Sequence, residues 1–276
     1  MSQSLRASAI KLATATAVVL LGAGSAAASV AAPAPHRAAA PARTAAAPPV
    51  DHQLCYRTGV SGTVIPPNVT LKNQFSPGGF KPTITAGMVL CNPVQKTLPS
   101  GQIFHITNPR AHLVCYKITE PAQPTPTVAV SNQFGTARLI PRQPNLLCLP
   151  SWKSLIGVPH PPAVQPPGLS HFTCYPVRVA SGGYTPPTVR LKDEFTARPV
   201  TAQVNPVPVE LCLPTEKIVG AHDFPIINAA THLLCFPVSP TPIKNAWYKN
   251  QFGFGSLGIR QTNWLCVPST KRVVPR

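Results

Sequence analysis

Four histidines and eight cysteines are the residues of this sequence whose type and spacing could bind a metal ion. Each histidine stands three residues before a cysteine, and both residue types are zinc ligands. The histidines are His52, His112, His171 and His232. Imidazole also titrates near neutral pH, so these residues could instead sense pH. Because residues three apart on a β-strand point to opposite faces, we predict no metal site and a structural role for the histidines.

The eight cysteines recur with a period of about 60 residues when every second one is taken. This regular spacing indicates four copies of one repeat. In an exported chain, an even number of regularly spaced cysteines is typical of disulfides. We therefore predict one disulfide within each repeat: Cys55–Cys91, Cys115–Cys148, Cys174–Cys212 and Cys235–Cys266.

Each repeat carries further residues at fixed distances from its cysteines. An aromatic residue follows the first cysteine, and an Asn-Gln-Phe or Asp-Glu-Phe triplet comes later. The triplet predicts a turn in which the first side chain bonds the backbone and the phenylalanine fills the core. The second cysteine lies in a Leu-Cys-x-Pro run, and a lysine stands five residues after it. These lysines are Lys96, Lys153, Lys217 and Lys271.

The combined signature, H-x-x-C-Y, then N-Q-F-G, then L-C-x-P-x-x-K, resembles an uncharacterised family of cystine-containing repeats in secreted bacterial proteins. The resemblance covers residues 51–276, and the third repeat departs from it by carrying Asp193-Glu194-Phe195 in place of Asn-Gln-Phe. It implies a type of domain, and it implies no activity or mechanism.

The repeated lysines and two tryptophans are the candidates for ligand contact. We expect the lysines to be solvated, where they could serve as a set of positive charges. Trp152 stands where the other repeats have Gln95, Glu216 and Thr270. Trp247 stands where the others have Thr70, Ala129 and Arg190. Because positions that accept charge are usually exposed, we expect both tryptophans at the surface, able to stack on a sugar or a partner.

The charge balance favours an anionic partner. The chain has 24 Lys+Arg against 7 Asp+Glu, and its formal net charge is +17. A basic surface attracts cell-wall polymers, phospholipid head groups, acidic glycans or nucleic acid, and no nucleic-acid-binding motif favours the last of these. No catalytic motif occurs, and the acidic residues recur at no common position in the repeats. We therefore predict no enzyme, no catalytic residue and no cofactor; an unrecognised hydrolase is the remote alternative.

Strands account for the repeats better than helices do. Apolar residues alternate before each triplet, as Val128 and Val130 do, and period two is a strand signal. The 36 prolines exclude long helices. We predict an all-β fold with two domains of two repeats each, residues 51–157 and 169–276, joined by a proline-rich linker at 158–168. Each domain is expected to be a sandwich or a small barrel.

The N-terminal residues are typical of an exported protein. Residues 1–28 have a basic start, a short apolar run and an A-x-A cleavage site, which predict a signal peptide. Residues 29–50 are rich in Ala and Pro and predict a disordered tether, and no second apolar span follows. We therefore predict a secreted, non-catalytic binding or structural protein of the bacterial cell envelope that engages an anionic polymer or glycan. A metal-binding or pH-sensing extracellular protein is the alternative.

Overall fold

A computed structural model describes residues 50–120, 124–160, 165–239 and 244–275 of the chain. The predicted signal peptide, the tether before Val50 and part of the predicted linker lie outside these ranges. The described residues contain strands and turns and no helix, so the all-β prediction is confirmed. No membrane-spanning helix is present in them.

Eighteen strands, numbered in chain order, make up the fold. They are β1 Gln53–Val60, β2 Val69–Asn73, β3 Ser76–Phe80, β4 Thr83–Pro93, β5 Gln95–Thr97, β6 Ile103–Phe104, β7 His112–Thr119, β8 Val128–Asn132, β9 Gly135–Pro141, β10 Leu146–Ser154, β11 His171–Tyr184, β12 Val189–Lys192, β13 Val200–Ala202, β14 Glu210–Val219, β15 His222–Phe224, β16 His232–Pro237, β17 Ala246–Asn250 and β18 Gly253–Val273. The longer strands contain the cysteines. Most of the shorter strands pair with other strands outside the cysteine-containing segments.

Eight strands form a closed antiparallel ring. The order is β1, β4, β7, β10, β11, β14, β16 and β18, with two strands from each repeat. Strand β18 then pairs with β1 and completes the circle. Closure satisfies the backbone of every ring strand on both sides, so the ring has no exposed sheet edge.

Side chains alternate between the two faces of the ring strands. In β7, Leu113 and Cys115 belong to an inner apolar cluster, whereas Val114 and Tyr116 belong to a separate outer one. All eight cysteines lie in the inner cluster. The period-two geometry of a strand thus assigns the cysteine to one face and the aromatic residue after it to the other.

Four disulfides cross-link the ring, and they are the four pairs expected from the sequence. In each pair the two cysteines face each other directly on neighbouring antiparallel strands. The space between the cystines measures only about 10 Å³, too little for a ligand. In the chain-entropy model, each loop of this length stabilises the fold by roughly 3–4 kcal/mol.

The ring joins the two halves of the sequence, so the predicted split into two domains is not confirmed. All described residues belong to one compact unit. Ring pairs β1–β18 and β10–β11 cross the predicted boundary, as do the outer pairs β2–β14, β5–β12, β10–β17 and β8–β18. Two repeats supply only four of the eight ring strands, and closure therefore needs all four repeats.

The conserved-spacing triplets form the predicted turns. In each one the first side-chain oxygen accepts a hydrogen bond from the backbone N–H of the phenylalanine, at 2.8–2.9 Å. The residues involved are Asn73 with Phe75, Asn132 with Phe134, Asp193 with Phe195, and Asn250 with Phe252. An Asx turn of this kind reverses the chain and directs the phenylalanine into the outer core.

Candidate functional site

The repeated histidines and lysines share one face of the ring strands, opposite to the cystines. The histidine precedes its cysteine by three residues, and the lysine follows its cysteine by five. Odd offsets along a strand exchange the faces. A strand of another repeat pairs alongside each lysine, and the register places Lys96 beside Leu191, Lys153 beside Tyr248, Lys217 beside Leu71, and Lys271 beside Val130.

Three of the lysine side chains are buried and the fourth is half-buried, so the expectation that they are solvated is wrong. Lys96 is 0% exposed and Lys217 is 1% exposed. The side chain of Lys153 is 0% exposed, and Lys271 is half-buried. A lysine is rarely buried without a partner, because its ammonium group loses hydration. The surroundings of each ammonium group therefore decide what the site can do.

Each lysine packs on the triplet phenylalanine of the next repeat along the chain. The pairs are Lys96 with Phe134 at 4.8 Å, Lys153 with Phe195 at 4.4 Å, Lys217 with Phe252 at 5.5 Å, and Lys271 with Phe75 at 4.8 Å, measured from Nζ to the ring centroid. The last pair connects the fourth repeat to the first. Cation–π contact thus recurs at four places around the ring. We call these places the lysine sites and name each by its lysine.

The Lys96 site is closed by hydrogen bonds to a histidine. Lys96 Nζ donates to His52 Nε2 at 2.8 Å, and Gln133 Nε2 approaches the same nitrogen at 2.8 Å. Phe104, from the hairpin after the lysine strand, lies 4.4 Å from the ammonium group. A cavity of about 340 Å³ is lined by His52, Phe104 and Gln133, but not by the lysine. The ammonium group therefore has His52 as its hydrogen-bond acceptor and does not reach the cavity.

The Lys153 site contains an ion pair. Lys153 Nζ contacts Glu194 Oε2, and His112 Nε2 lies 4.0 Å from the same oxygen. Glu194 is the middle residue of the third triplet, where the other triplets have glutamine. Its side chain is 48% exposed, so it covers the buried lysine from the solvent side. The carboxylate neutralises the charge within the protein.

The Lys271 site uses the first repeat. Lys271 Nζ donates to Gln74 Oε1, the middle residue of the first triplet. A cavity of about 210 Å³ is lined by Gln74 and His232, and the lysine again does not line it. The ammonium group has an amide oxygen as its acceptor and no carboxylate among the described residues.

The Lys217 site offers its lysine no acceptor from the part of the chain that the structure describes. Gln251 Oε1 accepts a hydrogen bond from His171 Nε2 at 3.0 Å, and Gln251 Nε2 donates to Gln165 Oε1 at 2.7 Å. Among the described residues, Lys217 Nζ makes no hydrogen bond or ion pair, and its close neighbour is the ring of Phe224 at 4.2 Å. The lysine also lines a cavity of about 290 Å³, together with Pro66, Val219, His222, Phe224 and Gln251. This is a buried ammonium group facing an open space.

Burial changes the titration of both residue types in these sites. It lowers the pKa of Lys96 to about 7 and the pKa values of Lys217 and Lys271 to about 8. It also lowers the pKa of Lys153, against the opposing effect of Glu194. Burial, with a contribution from the neighbouring lysine, lowers the pKa of His52 and His171 to about 3 and that of His232 to about 4, and it lowers the pKa of His112 as well. The lowered pKa values favour the neutral imidazole, which weighs against the pH-sensing alternative.

The four histidines lie in four separate sites and do not converge on one point. Across the ranges that the structure describes, no group of three or more His, Cys, Asp or Glu residues could hold a metal ion. The cysteines are all in disulfides. The histidines contact lysine, glutamine and aromatic side chains, which are not a metal shell.

The two tryptophans differ from each other in exposure. Trp152 is 9% exposed, so its expected surface position is wrong. In this part of β10, Trp152 pairs with Lys249 of β17, and the Arg110 guanidinium lies 5.8 Å from its ring. Trp247 is half-buried and stands opposite Ser154 and Ser256. Its contact with a ligand stays a prediction.

Two contributors to the lysine sites were missed by reasoning from the sequence. The middle residue of each triplet contacts the lysine or the histidine of the preceding repeat, and Phe104 and Phe224 pack on two of the lysines. One signal in the sequence could have indicated this contact: Glu194 replaces the glutamine of the other triplets, and a carboxylate can pair with one of the repeated lysines. The spacing between them gave no indication that they meet across a repeat boundary.

The described architecture agrees with the comparison to known families. A family model described as a repeat of unknown function (DUF7450) matches residues 116–268. The match covers more than half of the chain, and the chain belongs to this family. The resemblance to an uncharacterised family of repeats is thereby confirmed, and the four disulfides fit its cystine-containing character. No curated protein and no solved structure matches the chain.

Proposed function

We propose that this protein is a secreted, non-catalytic binding or structural protein of the bacterial cell envelope that engages an anionic polymer or glycan. The observation that carries the proposal is the sign of the exposed charges. The exposed basic residues are Arg57, Lys81, Arg110, Lys117, Arg138, Arg142, Arg178, Arg190, Lys192, Arg198, Lys244, Arg260 and Arg272. Among the described acidic residues, only Glu194 and Asp223 are exposed, and Glu194 is paired with Lys153.

Burial of the acidic residues strengthens the basic character of the surface. Asp51, Asp193 and Glu210 are buried and hydrogen-bonded within the fold. Their charges are therefore less available to oppose the exposed arginines and lysines. A surface with one dominant sign of charge attracts polyanions and does so more strongly at low salt.

The disulfides support export and rigidity. Disulfides persist in oxidising compartments, and four of them cross-link the ring. A cross-linked ring holds exposed charges at fixed separations, which suits a binding surface for a repeating polymer. Export further requires cleavage of the signal peptide, and N-terminal sequencing of the exported protein should begin at Ser29.

Retention on purified cell wall tests the proposal. The oxidised protein should bind wall fragments at low salt and elute as the salt concentration rises. The double variant Arg190→Gln with Lys192→Gln removes two exposed charges of β12 and should elute at lower salt. Lys96→Met is the matched control, because its charge is buried and should leave the elution unchanged. Absence of retention at low salt, or retention that salt does not affect, would contradict the proposal.

A further inference from the structure

The Lys217 site differs from the other lysine sites because its ammonium group lacks a hydrogen-bond acceptor within the described ranges. Its side chain is 1% exposed, yet its ammonium group has no acceptor among the described residues. A buried, unpaired charge is costly to a fold, and native structures normally satisfy such groups. The ammonium group also lines a cavity, so an acceptor from outside the chain can reach it.

The Lys153 site supplies an internal precedent for that acceptor. Both sites have a buried lysine on the triplet phenylalanine of the next repeat and a histidine beside it. In the Lys153 site the partner is the carboxylate of Glu194. In the Lys217 site the equivalent residue is Gln251, whose amide is held by His171 and Gln165. The place occupied by a carboxylate in one repeat thus lacks one in the other.

We propose that the cavity at Lys217 binds the carboxylate group of a small organic anion. Lys217 Nζ pairs with the carboxylate, in the role that Lys153 has toward Glu194. Phe224, Val219 and Pro66 offer apolar wall to the body of the ligand, and His222 and Gln251 offer polar groups. None of the exposed arginines and lysines of the proposed polymer-binding surface lines this cavity, and the site does not depend on that function.

Two sources can supply this chemistry, namely a uronic acid of a glycan and the terminal carboxylate of a peptide. A carboxylate is favoured over a phosphate because the precedent is a carboxylate and because one lysine, with no arginine, lines the cavity. Half of the lining residues are apolar, namely Pro66, Val219 and Phe224, which suits a singly charged ligand with a carbon skeleton better than a bare inorganic ion.

A titration of the full mature chain, with disulfides intact, tests the proposal. The probes are D-glucuronate and N-acetyl-D-alanine, with D-glucose, N-acetyl-D-alanine amide and inorganic phosphate as comparisons. We expect at least one carboxylate to shift backbone amide NMR signals of β14 and β15 in a saturable manner, and the one that binds identifies the source. The neutral analogue should bind at least tenfold more weakly. Binding of neither carboxylate, or equal binding of phosphate, would overturn the proposal.

Variants assign the binding to this cavity. Lys217→Met removes the ammonium group while keeping the length of the side chain, and it should weaken binding more than tenfold. Lys96→Met is the control, because that lysine does not line the Lys217 cavity, and it should leave binding unchanged. Unchanged binding by Lys217→Met would overturn the assignment.

Gln251→Glu provides a second, independent variant. It places a resident carboxylate beside Lys217, as Glu194 is placed beside Lys153, and should block the added carboxylate by more than tenfold while the protein stays folded. If Lys217→Met fails to fold, this variant decides: blocked binding supports the site, and full binding overturns it. Wall retention is measured in parallel, so that loss of the carboxylate site is distinguishable from loss of the polymer-binding surface.

Discussion

The Lys153 and Lys217 sites have the same framework and a different charge balance. Each places a buried lysine on a phenylalanine from the next repeat, with a neutral histidine beside it. The Lys153 site has a resident carboxylate, whereas the Lys217 site has an amide that bonds elsewhere. The comparison teaches that a repeat can keep its architecture while one residue decides whether a buried charge is neutralised from within.

The chain after the lysine also differs between the two sites. Strand β14 continues into the hairpin with β15, and that hairpin contributes His222 and Phe224 to the cavity. Strand β10 instead pairs with β17 as far as Ser154. The Lys217 site therefore has a cavity and, in the described parts of the chain, no carboxylate beside its lysine, whereas the Lys153 site has a direct ion pair.

The largest expected effect tests whether the shared framework is equivalent in the two sites. Phe195 and Phe252 are both fully buried and lie under the two lysines. Phe195→Ala and Phe252→Ala should each lower the free energy of unfolding by about 3–5 kcal/mol, because each leaves a cavity in the outer core. Denaturant unfolding with disulfides intact measures both. A loss in only one of them would break the equivalence.

Removal of the lysine charges should give opposite signs in the two sites. Lys217→Met removes an unpaired buried ammonium group and should raise the free energy of unfolding by about 1 kcal/mol in the absence of ligand. Lys153→Met deprives Glu194 of its partner and should lower it by up to about 1 kcal/mol, a modest amount because that carboxylate is half exposed to water. Calorimetric melting of both variants measures the difference. The same sign in both would show that the ion pair is not what distinguishes the sites.

Stability should depend on pH through Lys217. Burial lowers its pKa to about 8 in the folded chain, against about 10.4 in an unfolded one. The folded state therefore loses this proton first, and the destabilisation that is fully present below pH 8 is relieved between about pH 8 and 10.4. The wild type should gain on the order of 1 kcal/mol over Lys217→Met in that window. Lys96 and Lys271 act equally in both proteins, so a constant difference from pH 7 to 10 would contradict this assignment.

The smallest effect concerns Glu194 itself. Glu194→Gln restores the triplet of the other repeats and should lower the free energy of unfolding at neutral pH by a few tenths of a kcal/mol, since an exposed partner contributes little. The loss should shrink as salt is added, because salt screens the pair in the wild type. Asp223→Asn, at an exposed acidic residue outside the ion pair, is the control. A change of several kcal/mol for Glu194→Gln would contradict the prediction that this half-exposed ion pair contributes little to stability.

Local features of the fold were predictable from the sequence. The disulfides followed from the cysteine period, because the two cysteines of one repeat lie on strands that are neighbours in the ring. The Asx turn followed from residue type, because Asn73 bonds a backbone group only two residues away. Both depend on interactions within a single repeat, and a repeated sequence displays such interactions four times.

Contacts between repeats were not predictable in the same way. Lys96 packs on Phe134 of the second repeat and pairs with Leu191 of the third. Composition and spacing carry no record of which repeat covers which. A lysine five residues after a cysteine is compatible with a solvated strand end, and its burial arises from side chains of another repeat, as Phe134 shows for Lys96. The merging of the two expected domains into one unit has the same origin.

The strand pair that closes the ring differs from the other seven pairs in how its two strands are connected. Four neighbouring strand pairs are crossed by disulfides, and three more are connected by the chain between successive repeats. The pair β1–β18 has neither, and its register places the start of β1 beside the cysteine of β18, Gln53 against Cys266. Tension applied at the two ends of the chain would therefore load this pair from Gln53 and Cys266 inward, one residue pair at a time, with no covalent link across it. The cystines would keep every repeat cross-linked while this happened.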